Sequence, residues 1–234
     1  MFRAVLALLV IVAPVGLVAV PAADDKLPEP TRREILTSQN NLKQIALAFH
    51  NYHDAMGAFP NNTYDKDGKG LLSWRVLILP YIEEAVLYKQ FKLDEAWDSE
   101  TNKPLIAKMP KLYAPIRVKA KEGETFYRGF AGKGAIFGPD KAKGLKLTTV
   151  TDGTSNTGMV FEAGEAVSWT KGDDLPFDPK KELPKLGGLF DGASNVALCD
   201  GSVRRIKKDA DEKELRKLIG YNDGEVLDFS KLEK

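Results

Sequence analysis

The chain has 234 residues, 43% of them hydrophobic and 29% charged, with 34 Lys and Arg set against 33 Asp and Glu. That length fits one ordinary domain, alone or behind a targeting segment, and the spread of aromatic and charged residues excludes a collagen-like or wholly disordered chain. A net charge of +1 argues against nucleic-acid or anionic-membrane binding, and a single cysteine, Cys199, excludes an internal disulfide and a cysteine-rich zinc site.

The first segment stands apart. Arg3 is the only charged side chain before Asp24, and an apolar run from Ala4 to Val20 follows it. A short positive start, an apolar centre and small residues at Val20 and Ala22 are the parts of an export signal. Residues 1–22 are therefore expected to be a signal peptide cut after Ala22, followed by a linker over 23–30 and a single domain over 31–234. The competing reading is an uncleaved membrane anchor, because Ala4 to Ala23 approaches the roughly 20 residues that span a bilayer. Pro14, Gly16 and Pro21 interrupt that span. Cleavage removes one basic group and leaves 33 positive and 33 negative side chains.

From Thr31 the pattern turns helical. Ile35, Leu42, Ile45, Phe49, Tyr52 and Met56 recur at spacings of three, four and seven, with Thr31 as N-cap and Gly57 then Pro60 as the stop. Ser73 opens a second apolar segment that Pro80 is expected to kink or divide, leaving Tyr81 to Phe91 helical. A loop and a short helix then lead to Pro110. Beyond it, glycine-rich turns separate short apolar runs, which predicts antiparallel strands at Phe126 to Phe130, Thr157 to Glu162, Asn195 to Cys199 and Ser202 to Ile206. Asp200-Gly201 reads as a two-residue hairpin turn. The repeated "DGTSN" at Asp152 and "DGASN" at Asp191 mark two equivalent strand starts in one sheet. A last helix is expected from Asp211 to Ile219, ended by Gly220. Helices first and strands later give an α+β class.

Several blocks occur together in a familiar order: "SQNNLKQIALAFHNYHDAMGAFP", "LSWRVLILPYIEEAVLYKQF", "LDEAWDSETN", "DGTSNT" and "ALCDGSV". Over roughly residues 32–228 the chain resembles DUF1559. This planctomycete-rich family of unknown function carries a prepilin-type, processing-associated His-x9-Asp-Gly domain and is related to the G-type pseudopilins of type II secretion. The resemblance implies a pseudopilin-like fold, with an N-terminal α-helix packed on an antiparallel β-sheet and additional short helices. Three departures accompany it. The Gly-Phe junction of a prepilin leader is missing, Phe190 stands where the hallmark histidine would precede Asp200, and Ala114 replaces the cysteine of a Cys-Pro pair.

Candidate chemistry is sparse. His50, His53 and Asp54 share a helix face and resemble a partial zinc shell, but an amphipathic helix with a polar flank explains them equally. Asp65 to Gly70 fails as an EF-hand, since Lys69 and Val76 stand where oxygen ligands belong. Asp191, Asp200 and Asp223 are the candidates for a calcium loop of the pseudopilin kind, and each also fits an Asp-Gly turn. Glu83 and Glu84 read as a solvated helix edge. Trp74, Tyr81, Trp97 and Tyr113 fit either a glycan groove or the core. No convergent nucleophile, base or cofactor signature is visible, so the reading is an exported, non-catalytic protein without a cofactor, located in the periplasm, on the cell surface or in the medium. Its expected partners are itself or other cell-envelope proteins. No stable membrane insertion is expected once the signal is removed. A solute- or glycan-binding module is the alternative, and a hydrolase a distant one.

Overall fold

The computed structural model describes residues 28–138, 140 and 143–234. The segment read as an export signal, and most of the linker, lie outside them. Among the described residues no helix is long and apolar enough to cross a membrane.

Helix α1 (Arg32–Met56) begins where the capping chemistry places it. Thr31 Oγ1 accepts from Glu34 N at 3.2 Å, and the Glu34 carboxylate accepts from Thr31 N at 2.7 Å. Gly57 ends it in the left-handed region at φ 79°, donating to His53 O. Of the expected seam, Leu42, Ile45 and Phe49 are fully buried, and Ala46 and Ala48 widen the stripe. Met56 departs from it, 64% exposed at the helix end.

Two short helices follow, α2 (Trp74–Leu77) and α3 (Ala85–Tyr88), with a 3-10 turn at Leu79–Ile82 between them. The helix expected from Tyr81 to Phe91 is thus in two pieces. The break falls at Glu83, whose φ of 66° closes the turn through a hydrogen bond to Leu79 O. The segment is also divided ahead of Pro80, as expected: α2 ends at Leu77, and the proline takes one of the first positions of the 3-10 turn.

The main sheet contains β1 (Glu124–Arg128), β3 (Gly158–Ser168), β5 (Ala193–Leu198) and β6 (Val203–Lys207), antiparallel throughout in that spatial order. A small parallel pair joins β2 (Phe130–Gly132) to β4 (Leu175–Phe177). The expected strand Phe126 to Phe130 is therefore divided between two sheets. Gly129 makes the transfer: a Cβ there would lie 2.1 Å from the Phe137 ring. The β5–β6 hairpin also differs from expectation. Leu198 N donates to Ser202 O and Gly201 N to Leu198 O, so the connection has three residues, closed by Gly201 at φ 85°.

The two Asp-Gly-x-Ser-Asn segments do start neighbouring strands, β3 and β5, but they are not equivalent. Asn156 remains in its turn and bonds Asp152 O, whereas Ser194 and Asn195 lie buried inside β5.

Alternation along β3 and β5 sorts the core into two layers. Val160, Ala197 and Cys199 join α1, Trp74 and Phe137, while Phe161, Ala163, Val196 and Leu198 join the layer of α4 (Glu212–Ile219). The edge of β6 is covered by the C-terminal residues, with Lys207 N donating to Leu232 O.

The edge of β1 is covered by a buried side chain. Arg75 donates through Nε and Nη2 to Tyr127 O and through Nη1 to Ser73 Oγ. Asp174 lies 3.9 Å from its Nη2, and neither side chain is exposed. The Asp174 carboxylate also accepts from Gly129 N at 2.9 Å, Trp74 Nε1 at 3.2 Å and Asn62 Nδ2 at 2.7 Å. Burial lowers the Arg75 pKa to about 10, and Asp174 opposes that fall. Asp174→Ala strands a buried cation and three donors, and is expected to cost roughly 3–5 kcal/mol in a denaturant titration. A loss below about 1 kcal/mol would mean the pair is solvated.

Candidate functional site

The sequence-derived candidates land in separate places. His53 Nε2 accepts from Leu147 N at 3.4 Å, and its Nδ1 lies 3.7 Å from the exposed Asp54 carboxylate. His50 and His53 both pack edge-on against Phe59, with centroids 5.5 Å away in each case. His50 Nε2 is buried without a hydrogen-bond partner among the described residues.

Asp191 and Asp200 flank opposite ends of β5, which at six residues is about 20 Å long. Asp191, in the left-handed region, is ion-paired with Lys234, whereas Asp200 accepts from Ser202 N in the hairpin. Asp223 belongs to another neighbourhood. Asp152 accepts from the backbone N–H groups of Asp223 and Gly224, and burial first, then the Asp152 and Glu225 charges, raise the Asp223 pKa. The 170 Å³ hollow beside Asp223 also holds Lys133 and Arg216. Among the described residues no group of three or more His, Cys, Asp or Glu converges in a geometry for a metal ion.

The aromatic candidates divide. Trp74 and Tyr113 are fully buried, stacking on Phe137 and Trp169 respectively, whereas Tyr81 and Trp97 are half-buried. Cys199 is buried, and burial pushes its thiol pKa upward, so it stays protonated.

Sequence reasoning missed a carboxyl at the interface of helix and sheet. Glu162 reads as the end of a strand, yet β3 continues past it and its side chain turns toward α1. There the carboxylate accepts from Ser38 Oγ and, at 2.8 Å, from Asn195 N, while Asn195 Nδ2 donates to Ser38 Oγ at 3.1 Å. Three elements, α1, β3 and β5, meet at these residues.

Charged and polar groups on the neighbouring elements are Asn41 of α1, Tyr127 of β1, Arg205 of β6 and Arg117 in the preceding loop. A cavity of about 10 Å³, room for one water, borders Glu162, Tyr127 and Arg117. Ala114 and Phe190 line it as well. The only signal for this centre in the sequence is one acidic residue inside the apolar run "GMVFEA".

Burial raises the Glu162 pKa from 4.5 to about 7, against the opposing hydrogen bonds from Ser38 and Asn195 and the weaker pull of Arg205. The folded chain therefore binds this proton more tightly than the unfolded chain. The contribution to stability is fully favourable below about pH 4.5, falls as pH rises, and levels off above about 7. Relative to wild type, Glu162→Gln is expected to gain on the order of 3 kcal/mol between pH 4.5 and pH 8 in denaturation experiments. Parallel pH profiles for the two proteins would contradict that assignment.

A groove of 560 Å³ lies beside α1. Gln44 and Leu47 of α1, residues 81–84 and residues 108–112 form its walls. Glu83 and Glu84, read from the sequence as a solvated helix edge, both line it, and the chain breaks its helical course between them. Lys108 and Lys111 supply charge of the opposite sign, and Tyr81, Ile82, Met109 and Leu112 supply half-buried apolar surface.

The sequence model of the family described as "Protein of unknown function (DUF1559)" matches residues 31–134. The matched region contains α1, the short helices and strands β1 and β2. No curated protein and no solved structure is significantly similar to the chain.

Proposed function

With the DUF1559 resemblance supported over residues 31–134, we propose that this chain is an exported, non-catalytic module that acts by assembly at the cell envelope. The observation that carries this reading is how the ionisable groups are distributed. Three buried ones hold the fold: Arg75 and Asp174 bind backbone groups at the end of β1, and Glu162 joins α1 to the sheet. The groove, by contrast, displays aliphatic and oppositely charged side chains on its surface. Such a mixture suits contact with another protein more than general acid–base chemistry, which needs a positioned proton donor and acceptor. Tyr81 in the groove wall favours a second reading, an extracytoplasmic solute- or glycan-binding module.

Cell fractionation with mass spectrometry of the N-terminus tests the exported reading. Soluble envelope or medium protein beginning at Ala23 or Asp24 is the expected result. Protein retaining Met1 in the membrane fraction would replace it with the anchored form. Saturable binding of a soluble sugar in calorimetry, lost in Tyr81→Ala, would favour the binding module over assembly.

A further inference from the structure

We propose that the groove beside α1 is an isologous contact surface for a second copy of this chain. The proposal deepens the assembly reading and rests on it.

The first observation is unspent charge. Glu83 and Glu84 on one segment, and Lys108 and Lys111 on another, line the same groove. Among the described residues none of the four takes part in an ion pair; Lys108 Nζ donates only to the neutral Gln90 Oε1, at 2.7 Å. Two charges of each sign therefore face solvent in one concavity without neutralising one another.

The second is symmetry. Most soluble oligomers are closed two-fold dimers, in which one patch meets its own copy and must be complementary to itself. A patch of a single sign repels its copy. A patch with an acidic segment and a basic segment is self-complementary: a two-fold axis lying in the interface and between the segments sets Glu83 and Glu84 of each copy against Lys108 and Lys111 of the other. Each ion pair so formed is weak and screened by salt, so the charges set register and orientation more than affinity.

The third is exposed apolar surface at and near the groove. Leu47 in the groove wall is 60% exposed, and Val86, two residues beyond Glu84, is 78% exposed. The half-buried Tyr81, Ile82, Met109 and Leu112 line the same groove. Isolated exposed aliphatics are ordinary on a protein surface; Leu47 shares the groove with the unpaired charges, and Val86 follows Glu84 closely in the chain.

Sedimentation equilibrium on the protein recovered from cells tests the proposal. The expected result is a concentration-dependent dimer that weakens as salt rises. The double variants Glu83→Lys/Glu84→Lys and Lys108→Glu/Lys111→Glu should each dissociate at least about tenfold more readily. Mixed in equal amounts they should pair again, since an all-basic groove then meets an all-acidic one. Leu47→Ser/Val86→Ser should weaken the dimer with little change in its salt dependence. Circular dichroism melts confirm that each variant is folded.

A protein that stays monomeric at all concentrations overturns the proposal and leaves the export reading to the N-terminal measurement. A dimer indifferent to all these substitutions also overturns it, while assembly through another surface stands. Failure of the two folded charge variants to pair on mixing removes the two-fold arrangement.

Discussion

Arg75 and Asp174 lie 3.9 Å apart with neither side chain exposed, and between them they bind three segments of the chain, at Asn62, at Ser73 and Trp74, and at Tyr127 and Gly129. The arginine reaches the carbonyl of Tyr127 at the sheet edge, and the aspartate collects donors from Asn62, Trp74 and Gly129. Tyr113 adds a further tie through its hydroxyl to Arg75 O at 3.0 Å. Desolvating both charges is expensive, and the arrangement persists because nearly every donor and acceptor finds a partner. The consequence is positional. Loops that share no regular hydrogen-bond ladder are brought to one point, and β1 is kept from exposing an open edge.

The Glu162 centre works differently. Its immediate hydrogen-bond partners, Ser38 and Asn195, are neutral, so the carboxyl lacks the close counter-charge that Asp174 possesses. Helix α1 is therefore held to the sheet by a group whose charge state responds near neutral pH. The apolar seam supplies adhesion between these layers, while the polar triangle selects which turn of the helix meets which residue of β3 and β5. Hydrophobic contact alone is non-directional and makes no such selection.

The groove is a product of the same geometry seen from outside. A continuous helix after Pro80 would have turned Glu83 and Glu84 to different sides. The left-handed residue at Glu83 breaks that course and leaves both acids on the groove beside α1, opposite in sign to the lysines of the 108–112 segment. Arg75, Asp174 and Glu162 are buried within the fold, whereas Glu83, Glu84, Lys108 and Lys111 line one surface groove. That division is the physical basis for reading the molecule as one that makes contacts.

Local signals were legible wherever a few neighbouring residues decide the outcome. The Thr31–Glu34 capping box, the Gly57 stop, the buried stripe of α1, the α+β order of elements and the start of α4 after Asp211 all follow from spacing and capping chemistry. Gly129 and Phe130 illustrate the limit: their β character was readable, but the transfer of the chain to a second sheet depends on the ring of Phe137 and on Asp174, 45 residues beyond Gly129. Likewise, Asp191 and Asp200 looked alike as Asp-Gly turns until β5 placed them at opposite ends of a strand. By itself, the sequence determined the address-like first segment as an expectation, the class of fold and the near-neutral charge. Only the tertiary structure decided which charges are buried, that Glu162 meets Ser38 and Asn195, and that Glu83 and Glu84 share a groove with Lys108 and Lys111. These depend on contacts between distant segments, and a linear pattern of residue types carries no distance between them.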